Sequence, residues 1–281
     1  MKIVLAVDGS RHSDWATDWM LELPYAHPRH VTALHVVDIA ALRAPFMAQP
    51  AKVGYEGFIQ AETKRLETLA KRVVQKTRKH LASHTAKTKV LVEKGPVAQT
   101  ILKHIRGRGA LVVLGERGLS NIERFFLGSV STQVTLHATC SVLVVKARAR
   151  PISRLLLALD GSKSSERAVQ FLLKQMTPRR NRRIEVQILQ VLPPFAYTQA
   201  AMTAMAFIHR YAQKLKAAGY LVKESIQAGD PGDEIIKAAK RTRADLLVVG
   251  AKGLSSVGRF LLGSVSSKLI RHSPCSILVV R

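Results

Sequence analysis

Apolar positions along the chain follow two alternating rhythms. Short runs rich in Val, Leu and Ile, with little polar alternation, predict strands over Lys2–Val7, Val31–Val37, Lys89–Glu93, Leu111–Leu114 and Val142–Val145. Between them, apolar residues recur every three or four positions. That spacing predicts helices over Ser13–Glu22, with Trp15 and Trp19 on one face, over Glu56–His84, with Leu66, Leu69, Val73 and Leu81 as the inward stripe, over Val97–Ile105, and from Ser129 onward. The same order then returns. Strands are expected at Leu155–Leu159, Ile184–Leu192, Leu221–Ile226, Leu246–Val249 and Ile277–Val280, and helices at Ser164–Gln175, Ala200–Ala218, Asp233–Lys240 and Val265–Arg271. Five strands alternating with helices in each half predict an α/β fold: two doubly wound five-stranded parallel-sheet domains in tandem. Such sheets bind ligands beyond the carboxyl ends of their strands, which places the chemistry after Asp8, Gly115, Asp160 and Gly250.

The two halves are copies. MKIVLAVDGS at residues 1–10 returns as SRLLLALDGS at 153–162, a spacing of 152 residues. GERGLSNIERFFLGSVSTQVTLHATCSVLVV from Gly115 to Val145 returns without a gap from Gly250 to Val280, a spacing of 135. The first copy therefore carries about 17 more residues in its middle, and the loop Ile39–Phe58 is their natural place. That loop and its counterpart Pro193–Phe207 are apolar and rich in Ala, Met and Phe, as expected of extra core, a dimer face or a lid over the ligand. The expected domains are residues 1–147 and 151–281, joined at the short segment Ala147–Pro151.

Charge changes the picture. Lys and Arg number 44 against 19 Asp and Glu, a formal net charge of +25, shared almost evenly by the two halves. Such a field draws anions of any kind, so weak, salt-sensitive association with polyanions is expected. The basic clusters Lys71–Lys79, Arg106–Arg108, Arg179–Arg183 and Arg241–Arg243 have few aromatic residues among them, which argues against base stacking. The first apolar run, Ile3–Val7, is too short for a signal segment, and no stretch reaches the length of a membrane span, so a cytoplasmic protein is expected. Cys140 and Cys275 occupy equivalent positions before the last strand of each copy and read as small buried thiols. His137 and His272, also equivalent, fall at a helix end, where the dipole favours a cation.

The candidate chemistry lies after the fourth strand of each copy, where Gly-x2-Gly-x9-Gly-Ser appears as Gly115, Gly118, Gly128 and Ser129, and again as Gly250, Gly253, Gly263 and Ser264. Glycine at a strand end lets the backbone approach a ligand closely, and Ser is a favoured helix N-cap. The first-turn N–H groups of the helix that follows make an anion site. The chain has no GxxxxGK[ST], no GxGxxG after its first strand and no HExxH. Gly107-Arg108-Gly109 precedes a strand and reads as a turn.

The paired V-D-G-S and L-D-G-S strand ends, the doubled glycine motif and the closing C-S-[VI]-L-V-V strand together resemble the universal stress protein family over nearly the whole chain. The resemblance implies a parallel sheet of strand order 3-2-1-4-5 in each copy and pairing of copies through the last strand, here as an intramolecular pseudo-dimer, with a homodimer of whole chains as a further option. It also implies ATP, with Mg as its companion metal, as the ligand. On that resemblance Gly118, Gly128, Ser129 and Val130, with Gly253, Gly263, Ser264 and Val265, would touch phosphates. Gly115 and Gly250 would lie near the ribose, Asp8 and Asp160 would face the nucleoside or its metal, and Val37 and Val191 would frame adenine. Glu116, where the second copy has Ala251, would repel a triphosphate if it pointed inward, which makes the second copy the expected site; Arg117 and Lys252 supply compensating cations.

Three function classes remain: an adenine-nucleotide-binding stress-response regulator without robust catalysis, a slow ATPase, and an ATP-free basic scaffold for acidic partners or nucleic acid. No general base with a positioned nucleophile emerges from the sequence, so catalytic residues are expected to be none.

Overall fold

The computed structural model describes residues 1–39, 55–82, 87–105, 107, 109–118, 127–178, 183–194, 197–253 and 262–281. Most of the Ile39–Phe58 loop lies outside them, as do Arg106, Arg108 and 179–182 of the basic clusters.

The strands are β1 (Lys2–Ala6), β2 (His30–Val37), β3 (Lys87–Lys94), β4 (Ala110–Gly115), β5 (Ser141–Val145), β6 (Arg154–Leu159), β7 (Glu185–Leu192), β8 (Leu221–Ala228), β9 (Leu246–Gly250) and β10 (Ser276–Val280). The helices are α1 (Arg11–Glu22), α2 (Tyr55–Ala82), α3 (Val97–Lys103), α4 (Ser129–His137), α5 (Lys163–Gln175), α6 (Tyr197–Ala217), α7 (Pro231–Arg241) and α8 (Ser264–His272). Every strand and helix expected from the sequence is present, with ends shifted by a few residues. Helix α6, expected from Ala200, begins at Tyr197 and so takes up most of the segment Pro193–Phe207. Ala110 N donates to Gly107 O at 3.3 Å, closing the turn expected before β4.

The sheet has ten strands in the order β3-β2-β1-β4-β5-β10-β9-β6-β7-β8. Each half keeps the order 3-2-1-4-5, but the halves are not two separate sheets. β5 and β10 pair antiparallel, with Val142 opposite Val279, Leu143 opposite Leu278 and Val144 opposite Ile277; every other pairing is parallel. The cause is visible in the residues: after a leading serine both last strands are apolar, and every position is buried, so each would be an exposed sticky edge alone, and pairing removes both edges. The true outer edges are β3 and β8, which open on exposed Lys87, Thr88 and Lys89 and on exposed Leu221 and are otherwise exposed or half-buried.

One apolar layer joins α1, α2, α5 and α6 to one face of the sheet, and a second joins α3, α4, α7 and α8 to the other; both run across the seam. Ser10 and Ser162 cap α1 and α5 by accepting from Ser13 N and Ser165 N, and Asp230 caps α7, whose first residue is Pro231. Cys140 and Cys275 are free and buried, and desolvation pushes the Cys140 thiol up to about 11, so it packs as an apolar group. The basic run Lys71–Lys79 puts its charges on the outer face of α2, while Val73 and Thr77 face in.

Candidate functional site

The site begins where β1 ends. Ser10 N donates to Asp8 Oδ1 at 2.9 Å, and the turn passes through Gly9 at φ +83°, a left-handed conformation that glycine adopts without strain. The second copy repeats it: Ser162 N donates to Asp160 Oδ1 at 2.9 Å, with Gly161 at φ +82°. One oxygen of each aspartate is thus held by the backbone, and the other is aimed at the glycine motif. A Cβ on Gly118 would lie 2.6 Å from Asp8 Oδ2, and one on Gly253 would lie 2.9 Å from Asp160 Oδ2.

The ends of β4 and β9 are built the same way. Gly115 backs directly onto α1, so a Cβ there would sit 2.7–2.8 Å from His12 Cβ and its backbone, and one on Gly250 would sit 2.6 Å from the Ser164 carbonyl carbon. Gly128 N donates to Glu116 O, and Ser131 Oγ to Gly115 O at 2.7 Å; Gly263 N donates to Ala251 O, and Ser266 Oγ to Gly250 O at 2.8 Å. These bonds pin the start of α4 to the end of β4, and of α8 to β9. The cap itself differs from expectation. Gly128 and Gly263 are the N-caps, Ser129 and Ser264 are the first helical residues, and neither helix start has a side-chain cap. The first-turn N–H groups are left for an incoming acceptor. Because Gly115 meets backbone, Gly115→Ala should lower unfolding free energy by about 1–3 kcal/mol, measured by urea titration.

In the first copy these parts surround an open cleft of about 200 Å³. Asp8, Gly115, Arg117, Gly118 and Gly128–Ser131 form its polar side, and Leu34, Val36, Val97 and Ile101 its apolar wall. Of the residues named from the sequence, Asp8, Gly115, Gly118, Gly128, Ser129 and Val130 come together here. Val37 does not. It is buried, and its neighbour Val36 lines the cleft, because a shift of one position turns a strand side chain to the other face. The β-ladders show why the two valines were mismatched: Lys2 pairs with His30 and Arg154 with Glu185, so Val191 corresponds to Val36, and Val37 to Leu192. Ser131 and the apolar wall were missed, although the repeated GSVS already marked Ser131 and Ser266 as equivalent.

Charge at the cleft is also distributed differently from expectation. Glu116 is absent from the lining, and its carboxylate pairs with Lys146 Nζ at 3.2 Å, both side chains largely buried (15% and 7% exposed). It is neither a solvated loop charge nor a repulsive group facing a phosphate, so the reason for preferring the second copy falls away. His12, behind Gly115, titrates below its ordinary 6.5, chiefly through burial and despite nearby Glu116. Its folded-state value is depressed, so stability near this cleft is lost as pH falls below about 6.5, where the unfolded chain takes up the proton first.

A model of the universal stress protein family matches residues 1–146 and again 151–281. The chain belongs to the universal stress protein family. A universal stress protein of Mycolicibacterium smegmatis is 28% identical over 99% of this chain and 96% of its own length. One from Mycobacterium tuberculosis is 26% identical over 99% of this chain and 96% of its own. Among solved structures, a universal stress protein from Archaeoglobus fulgidus shares the fold at TM-score 0.67 and 20% identity, covering 100% of this chain and 98% of that one. An Arabidopsis thaliana member of the family, solved with AMP bound, covers 46% of this chain and 90% of its own at 23% identity and TM-score 0.35. Among the described residues, no helix is long and apolar enough to cross a membrane.

The two universal stress protein units differ between the helices that follow their third and fourth strands. In the second, Lys268 on α8 reaches Asp230 and Asp233 at the start of α7, at 3.0 and 2.8 Å, strapping the two helices together. The first unit has Gln133, Pro96 and Gln99 at the matching positions, which cannot form that strap.

Proposed function

We propose that this universal stress protein binds an adenine nucleotide, ATP, in the first-copy cleft and acts as a nucleotide-responsive regulator of the stress response without robust catalysis. The observation that carries this reading is the convergence of an uncapped helix start, Arg117 and Asp8 on one cleft with an apolar wall. In this reading the N–H groups of Ser129–Ser131 and Gly118 take the phosphates. Arg117 adds the positive charge, Gly115 gives the sugar room, and Val36 and Leu34 flank the base. Asp8, with Oδ1 fixed by the turn, keeps Oδ2 for the sugar or for a magnesium ion carried by the phosphates. Asp160, Gly250, Gly253, Gly263, Ser264, Val265 and Val191 form the corresponding frame in the second copy, where the Lys268 strap makes entry harder. Turnover is not part of the proposal: among the described lining residues, Asp8 is the one carboxylate and none is His or Cys. Location in the cytoplasm and assembly into homodimers belong to the same proposal.

The test is to purify the protein in high salt, denature it and quantify released nucleotide per chain, then to titrate ATP back. The expected result is one tight site that survives Gly263→Val and is lost in Gly128→Val. Failure to bind ATP at all would turn the reading to the basic scaffold, and steady ADP release lost in Asp8→Ala would turn it to the slow ATPase.

A further inference from the structure

The halves meet along β5 and β10 and also through two grooves beside that seam. Helix α1 lies over β4 and β5, and α5 over β9 and β10. Each helix therefore faces the starting ends of the other half's two central strands, and the pseudo-twofold relation makes the grooves equivalent. The groove beside α1 is filled by the linker. Trp19 Nε1 donates to Ala147 O at 2.8 Å, and Arg150 Nε to Asp245 Oδ1 at 2.7 Å. Asp245 Oδ2 accepts from Ser153 N, Ser153 Oγ and Arg154 N, and Ile152 is buried. The groove beside α5 is a cavity of about 170 Å³ that no described segment enters.

The two grooves have opposite charge. By repeat position, Asp245 of the filled groove corresponds to Ala110, and Glu22, Asp18 and Trp15 on α1 to Lys174, Gln170 and Arg167 on α5, with Asp18 itself paired to His80 at 2.9 Å. The open groove is lined by Arg167 and Lys174, with Phe171 in place of Trp19, and by Arg281, whose guanidinium turns away to the carbonyls of Thr135 and Leu136; no acidic side chain is among the described lining residues. An acid-bearing groove thus holds a segment of sequence Ala-Arg-Ala-Arg-Pro, while its twin carries the inverted charges and stands open.

We propose that the groove between α5 and the start of β4 and β5 docks an extended acidic segment of a partner protein, lying as the linker lies in the twin groove. Electrostatic complementarity selects the sign of the partner, and the linker in the twin groove, which forms neither helix nor strand, supplies the precedent for its form. A nucleic-acid backbone fits less well, since Phe171 is half-buried and is the one aromatic among the described lining residues, leaving no platform for successive bases. The site is independent of the nucleotide cleft and gives part of the +25 charge a specific task.

The test uses the full chain and a fluorescein-labelled peptide, Ala-Glu-Ala-Glu-Pro, which is the linker sequence with its arginines made acidic. Fluorescence anisotropy should show saturable binding that Arg167→Glu with Lys174→Glu weakens about tenfold or more. Both positions are exposed, so the fold should be untouched. Lys71→Glu with Lys79→Glu, an equal charge change on the outer face of α2, should alter binding by less than about twofold. Equal loss from both pairs would overturn the proposal in favour of the general field of the protein. No saturation by about 1 mM peptide would overturn it outright. A single-stranded oligonucleotide that binds more tightly and is lost through Arg167→Glu with Lys174→Glu would overturn it in favour of nucleic acid.

Discussion

Lys146→Ala is expected to destabilise the protein by about 3–5 kcal/mol, the usual consequence of leaving one member of a buried ion pair alone. Lys146 follows β5 and is 7% exposed. Its backbone N–H reaches Ser276 Oγ, and its ammonium donates to the carbonyls of Arg271 and Ser273 at the end of α8 as well as to Glu116. One side chain thus ties the first copy's glycine motif to the second copy's last helix. Its removal exposes orphan carbonyls and a buried carboxylate together. At about 2–4 °C per kcal/mol, a melting point lower by about 6–20 °C should be seen by calorimetry. The deficit should narrow at acid pH, because protonation removes the charge that has lost its partner. Glu116→Gln with Lys146→Met should recover most of the loss, since burial already lowers the Lys146 pKa and the pair is not a net gain over apolar packing. Arg281 gives the internal comparison. It makes the mirror-image reach to the carbonyls of Thr135 and Leu136, but Ala251 stands where Glu116 would be. Arg281→Ala therefore strands no carboxylate and should cost about 1–2 kcal/mol. Equal losses from the two variants would contradict the ion-pair account.

Gly118→Val should weaken ATP binding about 100-fold, or about 2.7 kcal/mol, with little change in stability. Gly118 is exposed, and the atom its new Cβ would meet, at 2.6 Å, is Asp8 Oδ2, a side-chain oxygen. The carboxylate can swing away, so the fold survives, but it leaves the position where it would meet the ligand, and the valine fills the polar side of the cleft. Isothermal titration calorimetry with ATP and thermal melting of the same samples separate the two effects. Unchanged affinity in a folded Gly118→Val protein would remove Gly118 and Asp8 from the site.

The fold was legible because the burial of both faces of the sheet wrote unbroken apolar strands, and the duplication wrote every element twice. The joining of ten strands into one sheet was less visible: the last strands are apolar whether they meet each other or a separate chain, and sequence supplies no geometry between halves. The glycines and aspartates of the site were legible for a local reason, since each serves a turn or a close approach within its own copy. Val36 was missed by one position, because two adjacent valines at a strand end carry no period to say which of them faces the cleft. Glu116 was misread for a different reason: its partner Lys146 is 30 residues away and is itself held by the carbonyls ending α8 of the other half. Long-range charge pairing leaves no mark at the spacing of a motif.

The most direct test of the central claim is an ATP titration of isotope-labelled full-length protein, followed by backbone amide resonances. The account predicts saturable shifts at Gly118 and at Ser129, Val130 and Ser131, with smaller shifts at Gly253 and Ser264–Ser266 until Lys268 is replaced by alanine. Saturating ATP that leaves the Gly118 and Ser129–Ser131 amides unmoved would contradict it, and the glycine motif of the first copy would then be a structural joint alone.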